Sequence, residues 1–183
     1  MPMRVIAGVY RHRKLEYPEN NPNIRPTKDR IREAFFSSLG DISGKTFLDL
    51  YAGCGSMGIE AISRGAIKSY FVDYSEDALK YVRKNVQTLG INGQSVIIKS
   101  NDLNALDEFA KKGVKFDIIY LDPPYEYDGY ETAISKIIQF DLINVDGVIA
   151  FEANKEISIN PLWNKKIKEY HYGDIFLITF VGE

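Results

Sequence analysis

From residue 45 onward, short apolar runs alternate with longer amphipathic segments. "KTFLDLY", "KSYFVDY", "QSVIIKS", "FDIIYLD" and "GVIAFEAN" have the length and near-continuous apolar character of buried strands. Between them, "SMGIEAISRG", "SEDALKYVRKNVQTLG", "DLNALDEFAKKG" and "GYETAISKIIQFDL" carry apolar residues at helical spacing, with Gly65 closing the first, and Ser75 placed to cap and Gly90 to stop the second. Strands alternating with helices predict a mostly parallel sheet covered on both faces, a doubly wound Rossmann-like α/β fold. At the C-terminal end, "KKIKEYHYG" and "DIFLITFVG" read as two strands about a tight turn, which completes a seven-stranded sheet with the last strand antiparallel.

Upstream, "MRVIAGVYRHRKLEYPE" alternates around Gly8 and predicts a β arm or hairpin, followed by the loop "NNPNIRP". "TKDRIREAFFSSLG" predicts a helix over 27–40, with Thr27 as N-cap, Asp29 in the first turn, Gly40 at the end and an apolar face of Ile31, Ala34, Phe35 and Leu39. The expected organisation is one domain over 1–183: an arm (1–22), a helix (27–40) and a Rossmann-like core (45–183).

Composition narrows the function classes. A single cysteine, Cys54, rules out an internal disulfide and a cysteine-based zinc site, and neither histidine, His12 or His171, has a partner at metal or catalytic spacing. No metal site is expected. No apolar stretch has the length of a membrane span and no leader pattern opens the chain, so a cytoplasmic setting without membrane attachment is expected. The net charge of −2 hides an asymmetry: residues 1–32 hold eight Lys/Arg against three Asp/Glu, and the remainder is acidic. A basic arm with interleaved aromatics suits a polyanion, with Arg4, Arg11, Arg13, Lys14 and Arg25 as candidate RNA contacts; a solvated, partnerless hairpin is the alternative.

Candidate chemistry sits at the strand ends. The first strand runs into "DLYAGCGSMG", where Gly53, Gly55 and Gly58 form G-x-G-x-x-G between strand and helix, the pattern that lets backbone approach a ligand. Asp49 precedes it, at a place that is typically apolar in dinucleotide enzymes. The second strand ends at Asp73, 24 residues after Asp49, where an acid can hold both ribose hydroxyls of an adenosine-type cofactor. The third ends at Asp102, which either accepts from an adenine amino group or caps the following helix.

The fourth strand ends in Asp122-Pro123-Pro124-Tyr125. An amino group conjugated to a base is a poor nucleophile because its lone pair is delocalised. The Asp122 carboxylate and the Pro123 carbonyl can accept its two N–H groups, draw nitrogen toward tetrahedral geometry and stabilise the positive charge developing there. Two prolines pre-aim these acceptors and offer no competing N–H. Tyr125 offers a flat face for a base taken out of its stack.

This constellation resembles the S-adenosylmethionine-dependent methyltransferases of the Rossmann-like class I fold, and Asp-Pro-Pro-Tyr resembles the marker of those that methylate exocyclic amino nitrogens. "RVIAGVYRHRKLEYP", "IRPTKDRIREAFFSSL", "FLDLYAGCGSMGIEAISRGA", "VDYSEDALKYVRKNV" and "DIIYLDPPY" further resemble the RsmD family, bacterial enzymes that methylate a guanine N2 in 16S ribosomal RNA. The resemblance covers residues 4 to about 152. It implies S-adenosylmethionine as cofactor, held by Asp49, Gly53, Gly55, Asp73 and Asp102. It also implies Asp122, Pro123 and Tyr125 as the catalytic set, and ribosomal RNA or the assembling 30S subunit as partner. A monomer is expected. His12 stands where the family often has glycine, and Tyr125 where many members have phenylalanine.

Other readings remain beside this one. A DNA adenine enzyme of this type usually carries a large recognition insertion, for which there is no room, and protein glutamine enzymes usually have Asn in place of Asp122. A non-catalytic RNA-binding module leaves an intact Asp-Pro-Pro-Tyr unexplained. Arg25, Thr27, Arg30 and Arg32 suit either RNA phosphates, or packing over the cofactor, or a plain charged helix face. The "EYDGY" loop, with Tyr127, Gly129 and Tyr130, is either a lid or an ordinary connection, and Trp163 reads as core or rim.

Overall fold

The computed structural model describes residues 3–22, 24, 27–124, 126–153, 166–172 and 175–181. The element order is α1 (Asp29–Leu39), β1 (Thr46–Asp49), α2 (Ser56–Ser63), β2 (Lys68–Asp73), α3 (Glu76–Leu89), β3 (Ser95–Lys99), α4 (Asp102–Lys112), β4 (Phe116–Leu121), α5 (Tyr130–Gln139), β5 (Ile143–Ala153), β6 (Lys166–Tyr172) and β7 (Ile175–Val181). Seven strands form one sheet in the order β3-β2-β1-β4-β5-β7-β6. β1 to β5 pair in parallel, and β7 inserts antiparallel between β5 and β6. The expected strand number and single reversed direction are both present. β5 starts at Ile143, earlier than its apolar run suggested.

Helices cover both faces. α4 and α5 pack on Leu48, Ile119 and Leu121, while α1, α2 and α3 pack on Phe47, Phe71, Ile118 and Tyr120. Local chemistry explains the helix ends. The Ser75 hydroxyl accepts from the Ala78 N–H to start α3, and Gly90, at φ 70°, closes it in the left-handed region. Asn101 accepts from the Asn104 N–H to start α4. All eight residues of α2 are buried. That helix lies close to β2 because residue 58 is glycine: a Cβ there would stand 2.4 Å from Phe71 Cε1. Gly58 therefore serves packing. α1 departs from expectation at its start, since Lys28 rather than Thr27 is the N-cap and no side chain caps it; the first turn is tied instead by Asp29 to Arg32 at 2.8 Å.

Of the two expectations for the N-terminal segment, the hairpin is present in short form and a regular β arm is not. The segment contains one isolated antiparallel bridge, Arg4 to Lys14, with a turn over the residues between. Gly8 and His12 adopt φ 83° and 70°, which breaks strand alternation; His12 takes the left-handed conformation that glycine would favour. Met3, Val5 and Leu15 are buried against the body. The backbone N–H groups of Ile6 and Ala7 each donate to the Glu60 carboxylate at 2.9 Å, and Asn85 accepts from Glu16 N at 2.7 Å and donates back to Glu16 O at 2.8 Å. The hairpin is a strap folded across α2 and α3, where its apolar residues find a surface to bury against.

Candidate active site

All five parallel strands end at one cavity of about 920 Å³. Asp49, Asp73, Asp102, Asp122 and Gly53, predicted from separate strand ends, line it together, whereas Gly55, also predicted to hold the cofactor, is outside the lining and faces Phe71 and Val82. This is the carboxyl edge of the sheet, beside the β1–β4 switch in strand order, where open α/β sheets bind ligands.

The glycine loop is built by acids. Asp73 Oδ2 accepts from Gly53 N at 2.9 Å and Oδ1 from Ser75 N at 2.8 Å. Each oxygen retains a second lone pair. Burial raises the Asp73 carboxyl above its ordinary range, with the backbone N–H groups of Ser75, Gly53 and Tyr74 opposing. Gly53 has φ 55°, and a Cβ there would meet only Ile24 Cγ2 at 3.8 Å, so the space over it is open. Gly55, at φ 85°, is the N-cap of α2. Asp49 is buried, and its Oδ2 accepts from Gly58 N at 3.1 Å. Burial lifts Asp49 to about 7, the Gly58 bond opposes this, and the Asp73 charge adds to it. Cys54 in the loop is buried and its thiol pushed up to about 11 by burial, so it is inert.

Asp102 is buried in the first turn of α4, but Asn101, not Asp102, is the cap. Its Oδ2 accepts from the hydroxyls of Tyr51 at 2.7 Å and Tyr127 at 2.6 Å, and its Oδ1 from Leu103 N at 2.8 Å. Tyr127 thereby ties the loop after the Pro-Pro pair to the end of β3. Gly129 makes room for it: a Cβ there would lie 2.1 Å from the Tyr127 hydroxyl. Partial burial, then the hydrogen bond to Asp102 and its charge, push the Tyr127 phenol up to about 12. Tyr130 stacks on Phe151 at 4.8 Å.

Asp122 follows β4, half-buried, with no hydrogen-bond donor among the described residues. Burial, then the charges of Glu152 and Asp49, push its carboxyl well above the ordinary range. Pro123 is buried, and the Pro124 carbonyl accepts from Tyr127 N at 2.9 Å. Beside Asp122 stands an acid that the strand-end reading passed over. Glu152, near the end of β5, is 9 % exposed, lines the cavity and accepts the Tyr120 hydroxyl through Oε2. A lone acid in "VIAFEA" was the available signal.

Of the candidate RNA contacts, Arg4, Arg11, Arg13 and Lys14 are exposed on the strap, and Arg13 Nη2 reaches the Thr88 carbonyl at 3.4 Å. Thr27 lines the cavity and Arg30 is exposed. Arg32 is fully buried, donating through Nη2 to Arg4 O at 2.7 Å, with Nε 3.8 Å from Glu60; it is unavailable to phosphates. Tyr125, Arg25 and Trp163 lie outside the described residues.

Comparisons with known proteins agree with this geometry. Residues 3–181 match the family described as "Conserved hypothetical protein 95". The Ribosomal RNA small subunit methyltransferase D of Haemophilus influenzae is 35% identical over 84% of this chain and 80% of its own length. The Bacillus subtilis protein YlbH, described as an rRNA methyltransferase, is 34% identical over 86% of this chain and 85% of its own. Among solved structures, the Escherichia coli protein yhhF, described as a methyltransferase, superposes with a TM-score of 0.86 at 29% identity, covering 100% of this chain and 99% of that one. A match over nearly the whole chain, together with relatives above 30% identity, places this protein in the RsmD family of methyltransferases.

Proposed function

We propose that this chain transfers a methyl group from S-adenosylmethionine to the exocyclic N2 of a guanine in small-subunit ribosomal RNA. The observation that carries the reading is the Asp122 carboxyl: it opens on the cavity, lacks a donor from the described residues and precedes Pro123-Pro124. Family membership and the names of the relatives support ribosomal RNA as the substrate class.

The residues present fit the cofactor. Open space over Gly53 leaves room for a ligand against the backbone, and the acids at the ends of β1 to β3 suit a cationic molecule rich in hydroxyl and amino donors. Asp73, with a lone pair remaining on each oxygen, would hold the ribose hydroxyls, Asp102 and Asp49 would complete the pocket, and Gly55 would act through the turn into α2. Bound S-adenosylmethionine supplies an electrophilic sulfonium methyl and leaves as a neutral thioether. Asp122 and the Pro123 carbonyl accept the two N2–H groups of the base, localise the nitrogen lone pair and stabilise the developing charge. Burial raises the proton affinity of Asp122, which suits a group placed to take up the proton that N2 sheds. Tyr125 stacks on the extruded base. Arg4, Arg11, Arg13, Lys14 and Arg25 meet RNA phosphates. The chain acts as a single-domain monomer in the cytoplasm, on ribosomal RNA or the assembling 30S particle.

The test is tritiated-methyl transfer to small-subunit RNA and particles from a strain lacking the enzyme, followed by nucleoside analysis. N2-methylguanosine is expected; label in any other nucleoside, or in protein, overturns the reading.

A further inference from the structure

Tyr120 pairs with Ala150 and Leu121 with Phe151 in the parallel β4–β5 register. Asp122 and Glu152 are the next positions, so they leave neighbouring strands side by side on one face of the sheet, and both line the cavity. Glu152 is an uncomfortable residue there. It is buried, and its charge adds to burial in raising the Asp122 carboxyl; burial raises its own carboxyl too, opposed by the Tyr120 hydrogen bond and the charge of Lys28. The one hydrogen bond to its carboxyl among the described residues comes from Tyr120, which is itself fully buried. An apolar pair in place of Tyr120 and Glu152 would fill the space without the desolvation cost of an acid. The bond engages Oε2 and orients the carboxyl, leaving Oε1 for another donor.

We propose that Glu152 is a specificity-determining residue that accepts the N1–H of the target guanine, next to the N2 amino group accepted at Asp122. This deepens the guanine-N2 reading and rests on it. On its Watson–Crick edge guanine presents adjacent donors, N1–H and N2–H2. Adenine and cytosine place a lone pair beside their amino group. Two acceptors side by side match guanine, whereas a ring lone pair facing a carboxylate repels it and leaves that acceptor buried and unpaired, the situation in which polar sites discriminate most sharply. Two entering N–H donors also relieve the raised proton affinity that burial imposes on both acids. Tyr120 is a positioning residue that acts through Glu152.

The test uses 2-aminopurine, which keeps the 2-amino group but has a lone pair at N1. Small-subunit particles are reconstituted from ribosomal RNA carrying either guanine or 2-aminopurine at the position that the wild-type enzyme methylates. The ratio of kcat/KM for the two bases is then measured. Wild type should favour guanine by on the order of a hundredfold. In Glu152→Gln, whose amide can donate to an N1 lone pair, that ratio should collapse at least tenfold, with the dissociation constant for S-adenosylmethionine unchanged. Tyr120→Phe should lower the ratio in the same direction by a smaller factor, and carries the test if Glu152→Gln does not fold. A ratio that stays at the wild-type value in the folded variants overturns the assignment while leaving the guanine-N2 reading intact. A wild-type product other than an N2-methylated guanine overturns both.

Discussion

At the β2 and β3 end of the cavity, Asp73 accepts from the backbone of Gly53 and Ser75, and Asp102 from two tyrosine hydroxyls and Leu103 N. At the β4 and β5 end, among the described residues, the Asp122 carboxyl has no donor and the Glu152 carboxyl has only Tyr120. All four acids sit at strand ends and line the same space. A carboxylate that already accepts from fixed donors on both oxygens builds the pocket and offers its remaining acceptor capacity at fixed positions. A buried carboxylate short of donors is held in a high-energy state that a donor-rich ligand relieves. On the proposed reading, hydrogen-bond occupancy, more than the presence of an acid, separates the part of the site that shapes from the part that reacts.

The largest effect should come from the unsaturated end. Asp122→Ala should lower turnover by on the order of a hundredfold or more, as when a transition-state acceptor is lost, with cofactor affinity nearly unchanged. Steady-state kinetics alongside calorimetry check this, and turnover close to wild type would erase the contrast between the two ends. Asp73→Ala should do the reverse: cofactor binding weakens by roughly 2–3 kcal/mol, since charge-assisted hydrogen bonds and the tether on Gly53 are lost together. An unchanged dissociation constant by calorimetry would remove Asp73 from the cofactor pocket.

Asp49 lies between the two ends, and its proton affinity is raised to about 7, chiefly by burial. A raised carboxyl binds its proton more tightly folded than unfolded. Its contribution to stability is therefore complete below the unfolded value near 4 and is lost as pH rises toward 7. Asp73, Asp122 and Glu152 are raised too and push in the same direction. Asp49→Asn should match wild type in urea unfolding at pH 4. At pH 8 it should exceed wild type by about 1–2 kcal/mol, the gain being partly offset by a weaker bond to Gly58 N–H. Equal stability at both pH values would show that Asp49 is better solvated than its burial implies.

The smallest effect concerns Tyr127. Its hydroxyl shares Asp102 Oδ2 with Tyr51, so it competes with any amino donor for that oxygen. Tyr127→Phe should tighten cofactor binding roughly threefold, near the lower end of one net hydrogen bond. A weakened affinity would instead make Tyr127 part of the closed pocket.

The strand ends were legible because their signal is local. An acid or glycine that interrupts an apolar run marks the edge of a buried strand wherever the chain later folds, which is how Asp49, Asp73, Asp102 and Asp122 were found. The alternation of Met3, Val5 and Leu15 carries the hairpin pairing, but not its docking, which the left-handed backbone at Gly8 and His12 and the bonds to Glu60 decide by turning it onto the body. Arg32 looked like a surface cation for the same reason: its burial depends on Glu60 and on the Arg4 carbonyl, 28 residues from it in each case.

By itself, then, the sequence determined the order of elements, the parallel core and the acids at its edge, because periodicity and side-chain polarity act within a few residues. Only the tertiary structure decided which acids are saturated. Pairing Glu152 with Asp122 needs the β4–β5 register, and filling Asp102 needs Tyr51 and Tyr127 brought to it from other strand ends. Desolvation and hydrogen-bond occupancy depend on neighbours distant along the chain, and local pattern carries no record of them.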